Sequence, residues 1–269
     1  MTLKRVPNTP GTRHLRTVVS TGMFKNKPER SLLCGSRKTG GRNNYGRRTM
    51  RYIGGGHKRL LRNIDFKFKK QNVEGVVKSI DYDPFRTGFI ALVHYKDGQK
   101  SYILASEGLK VGDTIVAGPE VVPNVSCVLP LSKIPNGTFI YNIELNPGAG
   151  AKLVRSAGCY AQLLSKDDSF ATVKLPSGEK RLIRASCNAS VGVVSNSAHA
   201  NEKKGKAGVN RHLGWRPRTR GVAMNPVDHP MGGGEGKNAG QHPRSRKGLS
   251  AKGLKTRRRK FSDRYILKN

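Results

Sequence analysis

"SFATVKLPSGEKRLIRAS", residues 169–186, is the stretch that decides the fold. In "ATVKL", Ala171, Val173 and Leu175 share one face while Thr172 and Lys174 share the other, the period of two of a half-buried strand. "PSGE" (176–179) is a turn and "EKRLIRAS" (179–186) a return strand, so the stretch reads as a hairpin.

Upstream, "FIYNIEL" (139–145) and "GCYAQLLS" (158–165) extend the same group of strands. A Pro-rich bridge, "PEVVPNVSCVLPLSKIPNGT", separates it from an earlier group: "VEGVVKSIDY" (73–82), "GFIALVHY" (88–95) and "KSYILAS" (100–106). "KDG" at 96–98 is a hairpin signal between the last two. Short strands with turn signals every 8–12 residues predict barrels or sandwiches rather than βαβ units. The expectation is an all-β chain with two small barrels joined near residue 130 and little helix.

Charge divides the chain differently. Of 269 residues, 51 are Lys or Arg and 17 Asp or Glu, a net +34. Residues 61–195 hold 17 basic and 12 acidic residues; the flanks hold 34 and five. A balanced middle therefore sits between two intensely basic arms. Hydrophobic content is 35% with glycine left uncounted, and the apolar runs fall in the middle of the chain, so the core cannot include the whole chain. Such a charge repels itself unless a polyanion neutralises it, and nucleic acid is the obvious one. A membrane surface is the alternative, but no apolar run approaches the ~20 residues of a transmembrane helix. The opening "MTLKRVPNTPGTRHLRTVVS" lacks a secretory h-region. The arms, rich in Gly, Arg and Lys, cannot bury enough apolar surface to offset chain entropy, and are expected to order only on a partner.

Cys34, Cys127, Cys159 and Cys187 form no C-x-x-C pair, so free, mostly buried thiols are expected rather than zinc. "GAGAKLVRSAG" (148–158) lacks P-loop spacing, and "GGGHKR" (54–59) fails the same test. Glycine there lets one backbone approach another and lets Arg and Lys reach phosphates from a thin chain. Trp215, amid Arg211, Arg216, Arg218 and Arg220, reads either as a core anchor or as a stacking surface. "MNPVDHPMGGGEG" (224–236) holds an adjacent Asp228 and His229. As half of a triad they lack a G-x-S-x-G nucleophile, so a stiff Gly/Pro plug for an irregular crevice is the better reading. "RRRK" at 257–260 reads as phosphate neutralisation.

Several long blocks carry a resemblance: "GGRNNYGRRTMRYIGGGHKR", "DYDPFRTGFIALVHYKDG", "LPLSKIPNGT", "GWRPRTRGVAMNPVDHP", and "GGGEG" with "QHPRSRKG". Together the chain resembles, over essentially its whole length, the family of the second protein of the large ribosomal subunit, bacterial type. The resemblance implies an OB-fold barrel followed by an SH3-like barrel, flanked by extended basic arms. The expected divisions are 1–60, an N-terminal extension; 61–130, the OB-fold; 131–200, the SH3-like barrel; and 201–269, the C-terminal extension.

It also implies a structural role, not an enzyme: binding large-subunit rRNA, supporting assembly of the peptidyl transferase region, and helping the two subunits associate. The expected rRNA-binding residues are Arg42, Asn43, Arg47, Arg48, Arg51, Gly54, Gly55, Gly56, His57, Lys58 and Arg59 in the first arm. In the second they are Arg211, Trp215, Arg216, Arg218, Arg220, Met224, Asn225, Asp228, His229, Arg244, Arg246, Lys247, Arg257 and Arg258. Expected partners are large-subunit rRNA, small-subunit rRNA across the interface and neighbouring ribosomal proteins, with no membrane and no small-molecule substrate. No cofactor is expected, Mg²⁺ bridges to rRNA being left open, and the expected location is the cytoplasm. Many members carry a second His where this chain has Met231, which argues against a mechanism needing two imidazoles. The rival readings are catalysis by His229 and a histone-like DNA-packaging protein.

Overall fold

In the computed structural model, residues 2–4, 6–18, 27–236, 240–258 and 261–267 are described. They separate into two compact units: residues 1–37, 58–206 and 262–269 form the first, and residues 38–57 and 207–261 the second.

The first unit contains the predicted strands. Gly75–Asp81, Ile90–Tyr95, Lys100–Leu104 and Thr114–Ile115 make a four-stranded antiparallel sheet with Gly75–Asp81 and Ile90–Tyr95 in the middle. Val77, Ala91, Val93, Ala105, Leu109 and Ile115 fill its core. A seven-stranded antiparallel sheet follows in the order Ile266–Leu267, Lys180–Arg184, Phe170–Lys174, Ala161–Lys166, Phe139–Tyr141, Asn188–Val191 and Val128–Pro130. Leu129, Leu131, Ile134, Ile140, Ile143, Leu163, Val173 and Ile183 pack beneath it. The class is all-β, as an OB-fold and an SH3-like barrel in series require.

The two predicted hairpins close with one geometry. In each, three residues lie between the closing pair, Tyr95 with Gln99 and Leu175 with Glu179, and the third is a glycine in the left-handed region, Gly98 at φ +83° and Gly178 at φ +88°. Gly98 N–H donates to Tyr95 O and Gly178 N–H to Leu175 O, at 3.0 and 2.9 Å. A three-residue hairpin loop of this kind needs positive φ at its last position, which glycine supplies without a Cβ penalty.

Three features depart from the sequence expectation. "FIYNIEL" is two strands, Phe139–Tyr141 and Ile143–Glu144, because Asn142 turns left-handed at φ +52° and donates its N–H to Val154 O at 2.9 Å. Val128–Pro130, inside the Pro-rich bridge, pairs with Asn188–Val191, so the second sheet begins ahead of residue 131. Ile266–Leu267 returns from the basic C-terminal segment to pair with Lys180–Arg184.

Backbone pairing also joins the two sheets: Glu107 N–H donates to Val193 O at 2.8 Å and Ser195 N–H to Ala105 O at 3.0 Å. Tyr141, buried with Leu104 and Val194, donates its hydroxyl to Leu104 O at 3.3 Å. That burial pushes the Tyr141 phenol up to about 12.

The second unit has a different basis. None of its described residues is buried. It holds 19 Lys or Arg and only two carboxylates, Asp228 and Glu235. Backbone hydrogen bonds and close glycine contacts hold its shape, with no apolar core among the described residues.

Candidate nucleic-acid interface

In the second unit the two arms pair with each other. Ile53 and Trp215 form an antiparallel bridge. Around it, Gly54 N–H donates to Gly214 O at 3.0 Å, Arg216 N–H to Tyr52 O at 2.9 Å, and His57 N–H to His212 O at 2.8 Å. The helix Ala207–His212 delivers the second strand of this pairing. It ends at Gly214, φ +95°, where Gly214 N–H donates to Arg211 O and Trp215 N–H to Asn210 O. These are the two bonds of a Schellman cap, which requires a left-handed residue at that position. Trp215 is 46% exposed, so it is no core anchor; one face of its surroundings stays open to solvent.

A second turn presents the first arm's arginines. Asn43 Oδ1 accepts from Tyr45 N–H at 3.1 Å and from Arg47 N–H at 3.0 Å, an Asx turn that brings Arg42 and Arg48 opposite each other. Arg42, Arg48, Arg51, Arg216 and Arg246 then converge on one open groove of about 750 Å³, with Tyr52, Ile53 and Gly46. None of these five guanidinium groups has a carboxylate partner among the described residues; the ion pairs found involve residues of the first unit. Arg218 lies beside the groove, 5.7 Å over the Tyr52 ring. Five uncompensated, planar cations around a concave surface hold a strong positive potential and match phosphate oxygens in pairs.

The Asp228–His229 loop is closed on itself. Asp228 and His229 both donate their N–H groups to Asn225 O, and Gly233 N–H donates to Met224 O. The imidazole sits over Gly221, where a Cβ would meet its Cε1 at 2.4 Å, and a Cβ on Gly232 would strike Asn225 O at 2.4 Å. His229 Nδ1 accepts from Met231 N–H at 3.1 Å. A catalytic triad instead needs Nδ1–H donating to a carboxylate, so Asp228 does not orient this ring. Arg244 N–H reaches Met231 Sδ at 3.3 Å, and Arg246 Nη2 reaches Met224 Sδ at 3.9 Å. Arg244, Lys247 and Ser245 lie on a tight turn in which Gly248 N–H donates to Ser245 O.

A family model described as "Ribosomal Proteins L2, RNA binding N-terminal domain" matches residues 29–117. One described as "Ribosomal Proteins L2, C-terminal domain" matches residues 124–248. Large ribosomal subunit protein uL2 of Parabacteroides distasonis is 58% identical over 265 residues, spanning 98% of this chain and 97% of that relative. The chain belongs to the uL2 family. Proteins of the same name from Amoebophilus asiaticus and Cytophaga hutchinsonii are 57% and 56% identical, over 99% and 100% of this chain and 98% and 97% of their own lengths. The groove draws on both uL2 domain models: Arg42, Arg48 and Arg51 fall in the first, Arg216 and Arg246 in the second.

Of the other predicted residues, Arg47, Arg211, Arg220, Arg257 and Arg258 are exposed on the second unit, and residues 259 and 260 of "RRRK" lie outside the described residues. Lys58 and Arg59 belong to the first unit. Arg59 is engaged there: its Nη1 donates to Pro84 O at 2.9 Å and its guanidinium lies 4.6 Å over Phe85. Of the four free thiols, Cys127 and Cys187 are buried, Cys159 is intermediate and Cys34 exposed. Sequence reasoning missed Tyr52, Ile53 and Gly214. The signal for Gly214 was available, since a glycine two residues past a helix is a common cap.

Proposed function

We propose that the chain is a structural constituent of the large ribosomal subunit that binds large-subunit rRNA through its paired basic arms. The observation that carries this reading is the groove of five arginines with no carboxylate partner among the described residues, on a unit none of whose described residues is buried. A fold of that kind gains by wrapping a polyanion and little by closing on itself. The description of the matching N-terminal family model, RNA binding, and the name shared by the relatives support the same partner. On this reading the barrels dock by shape and phosphate contacts. The 224–233 loop fits a crevice toward the peptidyl transferase region. The chain supports assembly there, and its exposed arm surfaces reach small-subunit rRNA and neighbouring ribosomal proteins. Mg²⁺ bridges between carbonyl oxygens and phosphates belong to the same proposal. His229 acts by shape and carries no catalytic step.

The test is the salt dependence of full-chain binding to a transcript of large-subunit rRNA. Each phosphate neutralised on a single strand contributes roughly 0.7 to the log–log slope. Replacing Arg42, Arg48, Arg51 and Arg216 with Gln should flatten a steep slope by nearly three. A flat slope for the unaltered chain would overturn the reading.

A further inference from the structure

The outer face of the seven-stranded sheet carries a lateral row of side chains that neither the core nor the arginine groove uses. Register places Phe139 opposite Gln162, Gln162 opposite Lys174, Lys174 opposite Lys180, and Lys180 opposite Leu267. Their alternates Ile140, Ala161, Leu163, Val173 and Ile183 are buried in the core, so the row faces outward. With strands about 4.8 Å apart, Lys174 stands roughly 10 Å from Phe139 and Lys180 roughly 14 Å.

Two features of this row are unexplained by folding. Phe139 of the row and Tyr160, which directly precedes the strand Ala161–Lys166, are each 46% exposed and hold their rings 4.7 Å apart at 57°. Lys174 and Lys180 oppose each other directly, an arrangement that destabilises an antiparallel pair. Among the described residues no carboxylate relieves them: Glu179, next to Lys180, pairs with Arg181 at 3.7 Å.

We propose that this sheet face is a second RNA-binding surface, on which an unpaired nucleobase stacks against Phe139 and Tyr160 while neighbouring phosphates bind Lys174 and Lys180. It rests on the rRNA-binding reading and extends it beyond residues 29–117, the part whose family description names RNA. An acidic protein segment would neutralise the lysines but leave the aromatic pair in water. A flexible RNA strand supplies both π-faces and phosphates at the spacing of the row, the combination that single-strand binding sheets exploit.

The test uses the full chain and a large-subunit rRNA transcript. Lys174→Gln with Lys180→Gln should leave the thermal midpoint unchanged or raised, because a like-charge pair is removed, and should lower the salt slope by roughly 1.4. Ultraviolet cross-linking should join a nucleotide to the peptide carrying Phe139 or Tyr160, and Phe139→Leu with Tyr160→Leu should abolish that adduct. An unchanged slope in the double lysine variant, with a steep slope in the parent chain, overturns this inference alone. So does carbodiimide coupling of Lys174 or Lys180 to a neighbouring protein in assembled subunits. A parent chain with no salt dependence overturns the rRNA reading as well.

Discussion

A methyl group on Gly56 would lie 2.8 Å from the Cα of Gly214, a residue from the opposite arm. Gly56 also sits at φ +79°, so two constraints, close approach and left-handed backbone, exclude any side chain there. Gly56→Ala should strain the pairing by about 1–3 kcal/mol. The effect should appear as faster hydrogen exchange at the Gly54 and His57 amides, which donate across to Gly214 and His212. Melting of the barrels should not change, and protection that survives the substitution would contradict the pairing.

Gly221→Ala tests the loop. Its methyl group would displace the His229 imidazole, which lies 2.4–2.7 Å from that position. If His229 works by shape, Gly221→Ala and His229→Gln should give the same defect: fewer assembled large subunits, with normal peptide-bond formation in those that do assemble. Fully assembled particles that fail only in peptide-bond formation would point to chemistry at the imidazole.

Asp81 is a site where the fold opposes ionisation. Burial holds its carboxyl above the usual aspartate range, opposed by the hydroxyls of Ser79 and Tyr102 and by Arg62. A folded pKa above the unfolded one makes the native state lose stability as pH rises through the folded value. Asp81→Asn keeps an acceptor for the Tyr102 hydroxyl, 3.3 Å away, and removes the buried charge. The melting temperature at pH 7 should rise, on the order of 2 °C. The gain should vanish below about pH 4, where the acid is protonated in both states.

Thiol labelling at pH 8 should separate the four cysteines. Cys34 is exposed and should react with a disulfide reagent first. Cys187 is buried beside the Glu144 charge, and desolvation pushes its thiol up to about 11. Little thiolate exists there at pH 8, so Cys187 should label only after denaturant unfolds the second sheet. Rapid labelling of Cys187 in the native chain would contradict its burial.

The strands were legible where a local period or turn spelled them out. Gly98 and Gly178 carry the hairpins in their own sequence, and Ala171 and Val173 announce their face. Asn142 was not legible, because its left-handed turn is fixed by Val154 from another segment. Val128–Pro130 hid among prolines, since an edge strand tolerates what a central one does not. The site was half legible. Arg42, Arg48, Arg51, Arg216 and Arg246 are each named by the family resemblance, within arms that composition marks only as basic, and their meeting depends on the Ile53–Trp215 bridge. Two Gly-rich, polar segments show no hydrophobic period from which a register could be read.

The cross-arm bridge also sets a timetable for biosynthesis. Residues 38–57 leave the translating machinery well before residues 207–216 exist to receive them. At roughly 5–20 residues per second, that wait lasts on the order of ten seconds. Throughout it, a glycine-studded cationic strand hangs unmatched in a cell full of stray messenger and transfer RNA. A newborn copy of this chain is thus most vulnerable to capture by the wrong nucleic acid before its own second half has been made.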